Sequence, residues 1–312
     1  MDIVLLFPGQ GSQKRGMAQD LVAAFPAARD VFERGDEALG VSISDLAFSG
    51  PDEELTLTHN AQPALFLHGA AVWAAVAPAA TGRVRAAAGH SLGEFTAYHA
   101  AGSLELSRGV RLVRRRGELM YETGRVQAGA MAAILGDLTG GVEALCAQAT
   151  AEAGDVVPAN YNSPGQVVIS GTVPGVDRAM ELAKEQGARR TVRLNVSGAF
   201  HSPLMAPAAD GLAAALSAAA LVDPAFPVYS NVTGEAITGA ADAERLLHRQ
   251  LTAPVRWTEL IERMTAEHPD ALYVEMGPGN VLAGLVRRIS PAARTQACGT
   301  AAEVEALLQL LS

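Results

Sequence analysis

The chain has 312 residues, 49% of them apolar, and carries 24 basic against 33 acidic side chains for a formal net charge of −9. That length and apolar share can bury a sizeable core, and the acidic balance argues against general nucleic-acid binding. The two cysteines, Cys146 and Cys298, have neither metal nor redox spacing, which fits a reducing compartment and excludes a disulfide framework.

The first residues, Met1-Asp2-Ile3-Val4-Leu5-Leu6-Phe7-Pro8, hold too short an apolar run for a secretory signal and lack its basic flank. No stretch of membrane-spanning length is free of a charge or proline break. A soluble, cytoplasmic α/β enzyme is the expectation, with no nucleic-acid or membrane partner. Residues 3–7 read as a buried first strand ended by Pro8-Gly9. Gly9-Gln10-Gly11-Ser12-Gln13 follows. A dinucleotide fingerprint would need glycine at 14, where Lys14 stands, and a P-loop would need lysine where Met17 stands. What remains is a Gly-rich loop able to bring backbone donors close to a ligand. Residues 17–48 read as two helices, 51–60 as a polar loop, and 62–77 as an Ala-rich helix ended at Pro78. His68 and Trp73 within it are expected to pack.

Val84 and Ala86-Ala87-Ala88 then lead into Gly89-His90-Ser91-Leu92-Gly93, a G-x-S-x-G pentapeptide, and a helix-prone run follows to Gly102. Strand, sharp turn and helix are the setting of a nucleophile elbow. The flanking glycines have a physical reason: a Cβ at either would clash with the neighbouring strand or helix. The N–H groups that open the helix point donors at a developing oxyanion.

Residues 106–124 read as a helix rich in arginine (Arg108, Arg111, Arg114, Arg115, Arg116, with Arg125 just after). A 3.6-residue period forbids one shared face, so most are solvated or paired and one can point inward. Periodicity does not say which. Residues 125–197 then change character. Strands at 130–135, 155–159, 166–170 and 190–196 and helices at 140–153 (Thr139 as N-cap) and 175–186 give the order β-α-β-β-α-β, with 160–165 as a turn. That is a small ferredoxin-like domain, inserted at 125–197 into a large domain of 1–124 plus 198–312, with Gly124 and Ser197-Gly198 at its borders. The remainder alternates: helix 207–220, strand 228–231, helix 241–251, a helix capped by Pro254-Val255-Arg256-Trp257, strand 272–276, and a final helix opened by Gly277-Pro278-Gly279-Asn280. The fold class is α/β: an α/β-hydrolase-like, doubly wound, mostly parallel sheet.

A serine nucleophile needs a base, usually histidine. His90 adjoins Ser91 and should diverge from it. His99 and His68 read as packed, and His59, His248 and His268 as exposed. His201 sits in a loop after a strand end, where catalytic groups gather. No third, orienting residue is identifiable, and no metal motif is present.

The motifs Phe7-Pro8-Gly9-Gln10-Gly11-Ser12-Gln13, Gln62-Pro63-Ala64, Gly89-His90-Ser91-Leu92-Gly93-Glu94, Arg116-Gly117-Glu118-Leu119-Met120, Asn160-Tyr161-Asn162-Ser163-Pro164-Gly165-Gln166, Gly198-Ala199-Phe200-His201 and Glu275-Met276-Gly277-Pro278-Gly279 run in this order over nearly the whole chain. The set resembles the malonyl-CoA:acyl carrier protein transacylases of type II fatty acid synthesis and the related acyltransferases of polyketide synthases. The resemblance implies ping-pong transfer of a malonyl group from malonyl-CoA to the phosphopantetheine thiol of an acyl carrier protein, through an ester on Ser91. It implies His201 as base and then acid, oriented by the main-chain carbonyl of Gln250. It implies an oxyanion hole of the Gln10 and Leu92 N–H groups, and Arg116 as the bidentate grip on the malonyl carboxylate. Gln62, Met120, Asn160, Asn162 and Phe200 would line the pocket, Phe200 crowding an α-methyl group. No resident cofactor is implied, the CoA thioester and the carrier's phosphopantetheine being substrate parts, and a monomer is expected.

Carrier proteins are usually acidic, so an acidic enzyme needs a local basic patch. Arg189, Arg190 and Arg193 are the first candidates, Arg287 and Arg288 the second. Two rival readings stand beside this one. A serine hydrolase of the Ser…Asp…His order would draw its acid from Asp137, Asp155 or Asp177. A non-catalytic binding module would keep the fold without the chemistry.

Overall fold

A computed structural model describes residues 1–196 and 198–312; Ser197, placed above at a domain border, lies outside the described residues. The chain opens with β1 (Ile3–Phe7), α1 (Gln19–Ala24), α2 (Pro26–Leu39), α3 (Ile43–Ser49), α4 (Asp52–Thr56) and α5 (Thr58–Ala80). Next come β2 (Val84–Gly89), α6 (Leu92–Ala100) and α7 (Leu106–Val126). A small unit follows: β3 (Gly129–Leu135), α8 (Val142–Glu152), β4 (Val156–Ser163), β5 (Gln166–Thr172), α9 (Val173–Glu185) and β6 (Arg190–Arg193). The chain then runs through a 3-10 turn (Pro203–Met205), α10 (Ala206–Ala219), β7 (Val228–Tyr229), β8 (Ala236–Ile237), α11 (Ala240–Gln250) and α12 (Trp257–Glu267). It ends with β9 (Leu272–Met276), α13 (Val281–Ile289), β10 (Arg294–Cys298) and α14 (Ala301–Leu311).

Six strands form one sheet in the order β10-β9-β1-β2-β7-β8, parallel except for the β7–β8 pair. β1 is buried along its whole length, as a central parallel strand covered on both faces must be. The second sheet, β4-β5-β3-β6, is antiparallel throughout. Its α8 and α9 cover one face with their own apolar cluster, which is the split β-α-β pattern read from the sequence.

Several boundaries differ from the sequence reading. Residues 17–48 hold three helices, because Pro26 restarts the chain at the first position of α2 and Gly40, with φ 67°, ends it. Residues 51–60 are largely helical: Asp52, Glu53 and Glu54 complement the N-terminal dipole of α4. α5 runs through Pro63 and Pro78 rather than stopping at the second. Pro63 has no N–H to give the His59 carbonyl, and Arg114 Nη1 donates there instead at 3.0 Å. Thr139 is no N-cap; α8 starts after Gly141, and the Thr139 hydroxyl donates to the Gln186 carbonyl at 3.2 Å.

The segment 160–165 is mostly strand. β4 reaches Ser163 with two irregularities in register. β6 and β7 are shorter than read, and α13 is not the last element. The polar edge strand β10 carried little apolar signal, and α14 follows it with a Thr300–Glu303 capping box. Helix α5 is long and apolar enough to cross a membrane by composition, but 67% of its most apolar stretch is buried inside the fold.

Strand β4 ties the small sheet to the large unit beside the site. Tyr161 N–H donates to the Val255 carbonyl at 2.9 Å, and Val255 N–H donates to the Ala159 carbonyl at 2.8 Å.

Candidate active site

Ser91 stands between the end of β2 and the start of α6 with φ 51° and ψ −104°, a backbone conformation that costs energy for a non-glycine residue. Its neighbours hold it there. Ser91 N–H donates to Asn231 Oδ1 at 2.7 Å, and Asn231 Nδ2 donates to the Gly89 carbonyl at 2.7 Å. His90 N–H donates to the Phe7 carbonyl at 3.0 Å. The turn needs both flanking glycines. A Cβ on Gly89 would lie 1.9 Å from the Gly93 carbonyl carbon, and one on Gly93 would lie 2.0 Å from the Phe7 carbonyl oxygen. Both obstacles are backbone, so nothing can rotate aside. Gly93→Ala should therefore cost about 3 kcal/mol or more. A melting temperature within a degree of wild type would contradict this packing.

Ser91 Oγ lies 2.8 Å from His201 Nε2. On the far side of the ring, Nδ1 lies 2.9 Å from the Gln250 carbonyl and 3.2 Å from that of Ala253. Carbonyl oxygens only accept, so Nδ1 carries the proton and Nε2 is free to take one from the serine. Burial, then the Arg116 charge, push the His201 imidazole down to about 3. The ring is thus neutral in the resting enzyme. None of Asp137, Asp155 and Asp177 takes the orienting place, and Asp177 is paired with Arg193 instead.

Arg116 lies on α7 and is 1% exposed. Its Nη2 donates to Ser91 Oγ at 3.1 Å and to Gln250 Oε1 at 2.9 Å, and its Nη1 donates to Gln62 Oε1 at 2.8 Å. The guanidinium also sits 5.2 Å from the centre of the Phe95 ring, a cation–π contact. No carboxylate touches it among the described residues. Burial brings the guanidinium down to about 10 and the nearby Glu94 charge acts the other way. The inward arginine, which periodicity left open, is therefore Arg116. Arg114 and Arg115 pair outward with Glu118.

Glu94 is wholly buried in the first turn of α6, where Oε2 accepts from Gln250 Nε2 at 2.7 Å and from the Asn231 N–H at 3.2 Å. Burial pushes its carboxyl up to about 7, against the pull of Gln250, Asn231 and Arg116. Gln250 therefore spans the site. Its carbonyl meets His201, its Oε1 meets Arg116, and its Nε2 reaches Glu94 and the Ser91 carbonyl.

A cavity of about 390 Å³ opens onto Ser91, His201 and Arg116, with Met120, Asn160 and Phe200 in its wall. Gln10 and Leu92 also line it, and their N–H groups have no partner among the described residues. A larger opening beside it, lined by Asp52, Glu53 and Tyr121, does not reach Ser91; the cavity at the serine is the one with chemistry in it. Gln62 lies behind Arg116 rather than in the cavity wall. Asn162 Oδ1 is 2.8 Å from His90 Nε2, so it braces the elbow. Asn160, with its amide free of side-chain hydrogen bonds among the described residues, remains at the wall. His68 packs against the Gly299 carbonyl and His99 against that of Leu104. His59, His248 and His268 are half-buried rather than exposed.

Arg189, Arg190 and Arg193 are exposed along β6 and just before it, and the next residues, Leu194, Asn195 and Val196, line the cavity. Arg287 and Arg288 are exposed at the end of α13, bonded to Thr295 and Gln166. Sequence reasoning missed Asn231, Glu94 as a network member, and the side-chain role of Gln250. The one available signal was Glu94, an acid set within an apolar helix.

Residues 4–306 match the family described as acyl transferase domain. The chain is 45% identical over 314 residues to the malonyl CoA-acyl carrier protein transacylase of Bacillus subtilis, covering 99% of this chain and 97% of that protein. Its structure superposes on the acyl-carrier-protein-S-malonyltransferase of Bartonella henselae with a TM-score of 0.94 at 41% identity, covering 100% of this chain and 99% of that one. A malonyl-transacylase solved in complex with its type II polyketide acyl-carrier protein superposes with a TM-score of 0.93 at 38% identity, covering 99% of this chain and 100% of that one. With full-length matches of this kind around an intact serine–histidine–arginine cluster, the chain belongs to the acyl transferase domain family, among the malonyl CoA-acyl carrier protein transacylases.

Proposed function

We propose that this protein moves a malonyl group from malonyl-CoA to the phosphopantetheine thiol of an acyl carrier protein. The observation that carries the reading is the buried Arg116 guanidinium, without a carboxylate partner among the described residues, 3.1 Å from the Ser91 hydroxyl. A buried cation of this kind is complementary to an acyl group that ends in a carboxylate.

In the first half, Ser91 Oγ attacks the thioester carbonyl and its proton passes to His201 Nε2. The oxyanion accepts from the Gln10 and Leu92 N–H groups. The C–S bond breaks and His201 returns the proton to the departing CoA sulfur, leaving malonyl-Ser91. In the second half, the carrier's thiol gives its proton to Nε2 and attacks the ester, and Ser91 recovers its hydroxyl. The acyl group rides on the protein's own serine, so the scheme needs no resident cofactor. Phe200 narrows the wall beside His201 and works against an α-methyl branch.

The exposed arginines of the β6 segment lead into the cavity mouth and suit an acidic carrier. Fatty acid synthesis is the pathway this reading favours, and a polyketide carrier is the second, motivated by the polyketide transacylase among the similar structures. The protein is read as a cytoplasmic monomer.

The test is intact mass after brief exposure to malonyl-CoA, acetyl-CoA and methylmalonyl-CoA, with and without holo carrier protein. The expected result is a malonyl adduct that is absent in Ser91→Ala and is discharged by the carrier but slowly by water. Rapid discharge by water alone would make the protein a hydrolase, and no adduct from any of the three would overturn the reading.

A further inference from the structure

A second hydrogen-bond path leaves Arg116 on the side away from Glu94. Gln62 Oε1 accepts from Arg116 at 2.8 Å, and Gln62 Nε2 donates to the Thr58 hydroxyl at 3.0 Å. Thr58 in turn donates its proton to Gln10 Oε1 at 2.8 Å. Thr58 and Gln62 are one turn apart on α5 and both are buried, so they share a face. Arg116 and Met120 have the same spacing on α7, and the two pairs meet.

The direction of the Thr58 proton matters. A glutamine amide can present its oxygen or its NH₂ group in nearly the same space. Against a guanidinium only the oxygen is favourable; the NH₂ group would set donor against donor beside a buried cation. The hydroxyl proton of Thr58 is committed to Gln10 Oε1, an acceptor. Toward Gln62 the hydroxyl therefore only accepts, and it takes Nε2. The other acceptor near Nε2 is Met120 Sδ at 3.3 Å, a weak one.

We propose that Thr58, anchored on Gln10, is a positioning residue that locks Gln62 with its oxygen toward Arg116 and so sets the selectivity for a carboxylate-bearing acyl group. The inference rests on the reading of Arg116 given above. It predicts that one hydroxyl outside the cavity's reacting atoms controls discrimination between malonyl and acetyl groups.

Thr58→Val keeps the shape and removes the hydroxyl, and Thr58→Ser restores it. Ser91 acylation by malonyl-CoA and by acetyl-CoA is followed for each by intact mass. Thr58→Val should lower malonyl kcat/KM roughly 10- to 100-fold and acetyl much less, so that the malonyl-to-acetyl ratio falls about tenfold or more. Thr58→Ser should keep the wild-type ratio. In an Arg116→Ala background, Thr58→Val should leave the ratio where Arg116→Ala alone put it. An unchanged ratio in Thr58→Val, or equal loss on both acyl groups, overturns the proposal. Thermal melting checks that the variants fold; where Thr58→Val does not, Gln62→Leu removes the amide oxygen that Thr58 is proposed to hold toward Arg116 and carries the same prediction. Failure of wild type to form a malonyl ester would overturn the underlying reading together with the proposal. A normal wild-type ester with an unshifted ratio overturns the proposal alone.

Discussion

Arg116→Ala is expected to lower kcat/KM for malonyl-CoA by about 10³-fold while leaving acetyl transfer unchanged or faster. The asymmetry follows from what surrounds the guanidinium. Its fixed partners are neutral: Gln62, Gln250 and the Ser91 hydroxyl. Glu94 is held off by the intervening Gln250. A malonyl carboxylate would be the first anion to meet this cation directly, at a guanidinium that is almost wholly buried. An acetyl group leaves it unmatched, so removing the cation removes a penalty that acetyl alone carries. Single-turnover acylation with the two thioesters reads the difference. Equal loss on both would mean that Arg116 holds the elbow rather than the substrate, since Nη2 also touches Ser91 Oγ.

His201→Ala should slow acylation of Ser91 by roughly 10²- to 10⁴-fold, the usual worth of a positioned base. The pH dependence gives an independent check. Burial and the Arg116 charge push the imidazole from its ordinary 6.5 down to about 3. In the free enzyme the base is therefore already unprotonated above pH 5, and wild-type acylation should show no acid limb at 6.5 that belongs to His201. The sign for stability follows. Between pH 6.5 and 3 the unfolded chain binds a proton at His201 that the folded chain does not, so this residue costs stability as pH falls through that window. Relative to wild type, His201→Ala should lose less stability between pH 7 and 5. A group that does titrate near neutrality is Glu94, and an acid limb near 7 should vanish in Glu94→Gln. When the malonyl carboxylate settles on Arg116 it offsets one cause of the depression, the Arg116 charge. The substrate thus strengthens the base that takes the proton from Ser91.

Much of this was legible in the residues because the elbow is a local device. A short apolar strand, glycines at 89 and 93 and a helix former at once specify a strained turn, and no long-range information is needed. The split β-α-β order of the small unit was legible for the same reason. The network behind the nucleophile was not. Asn231 reaches Ser91 across 140 positions of chain, and nothing in Val228-Tyr229-Ser230 marks the asparagine that follows as a clamp. Asn162 looked like a pocket residue by motif, yet it braces His90 because β4 continues where a turn was read. Arg116 could not be told from its neighbours by spacing; its inward direction depends on α5 packing against α7. The edge strand β10 escaped because half-exposed polar residues at 295–296 carry no alternation.

The two backbone carbonyls behind His201 have a chemical consequence. A carboxylate in that place would steady an imidazolium, whereas a neutral carbonyl steadies it far less. His201 is left a weak base with a short-lived charged form. Ser91, whose proton is also tightly held, is fixed 2.8 Å from Nε2 with Arg116 on its oxygen. An incoming acceptor has no such help, so a weak base does little for water and enough for a thiol that gives up its proton near pH 8.5. The dyad thereby sorts incoming nucleophiles by acidity. On the proposed mechanism, an acyl ester on Ser91 is protected from the commonest molecule in the cell by the modest basicity of its own catalyst.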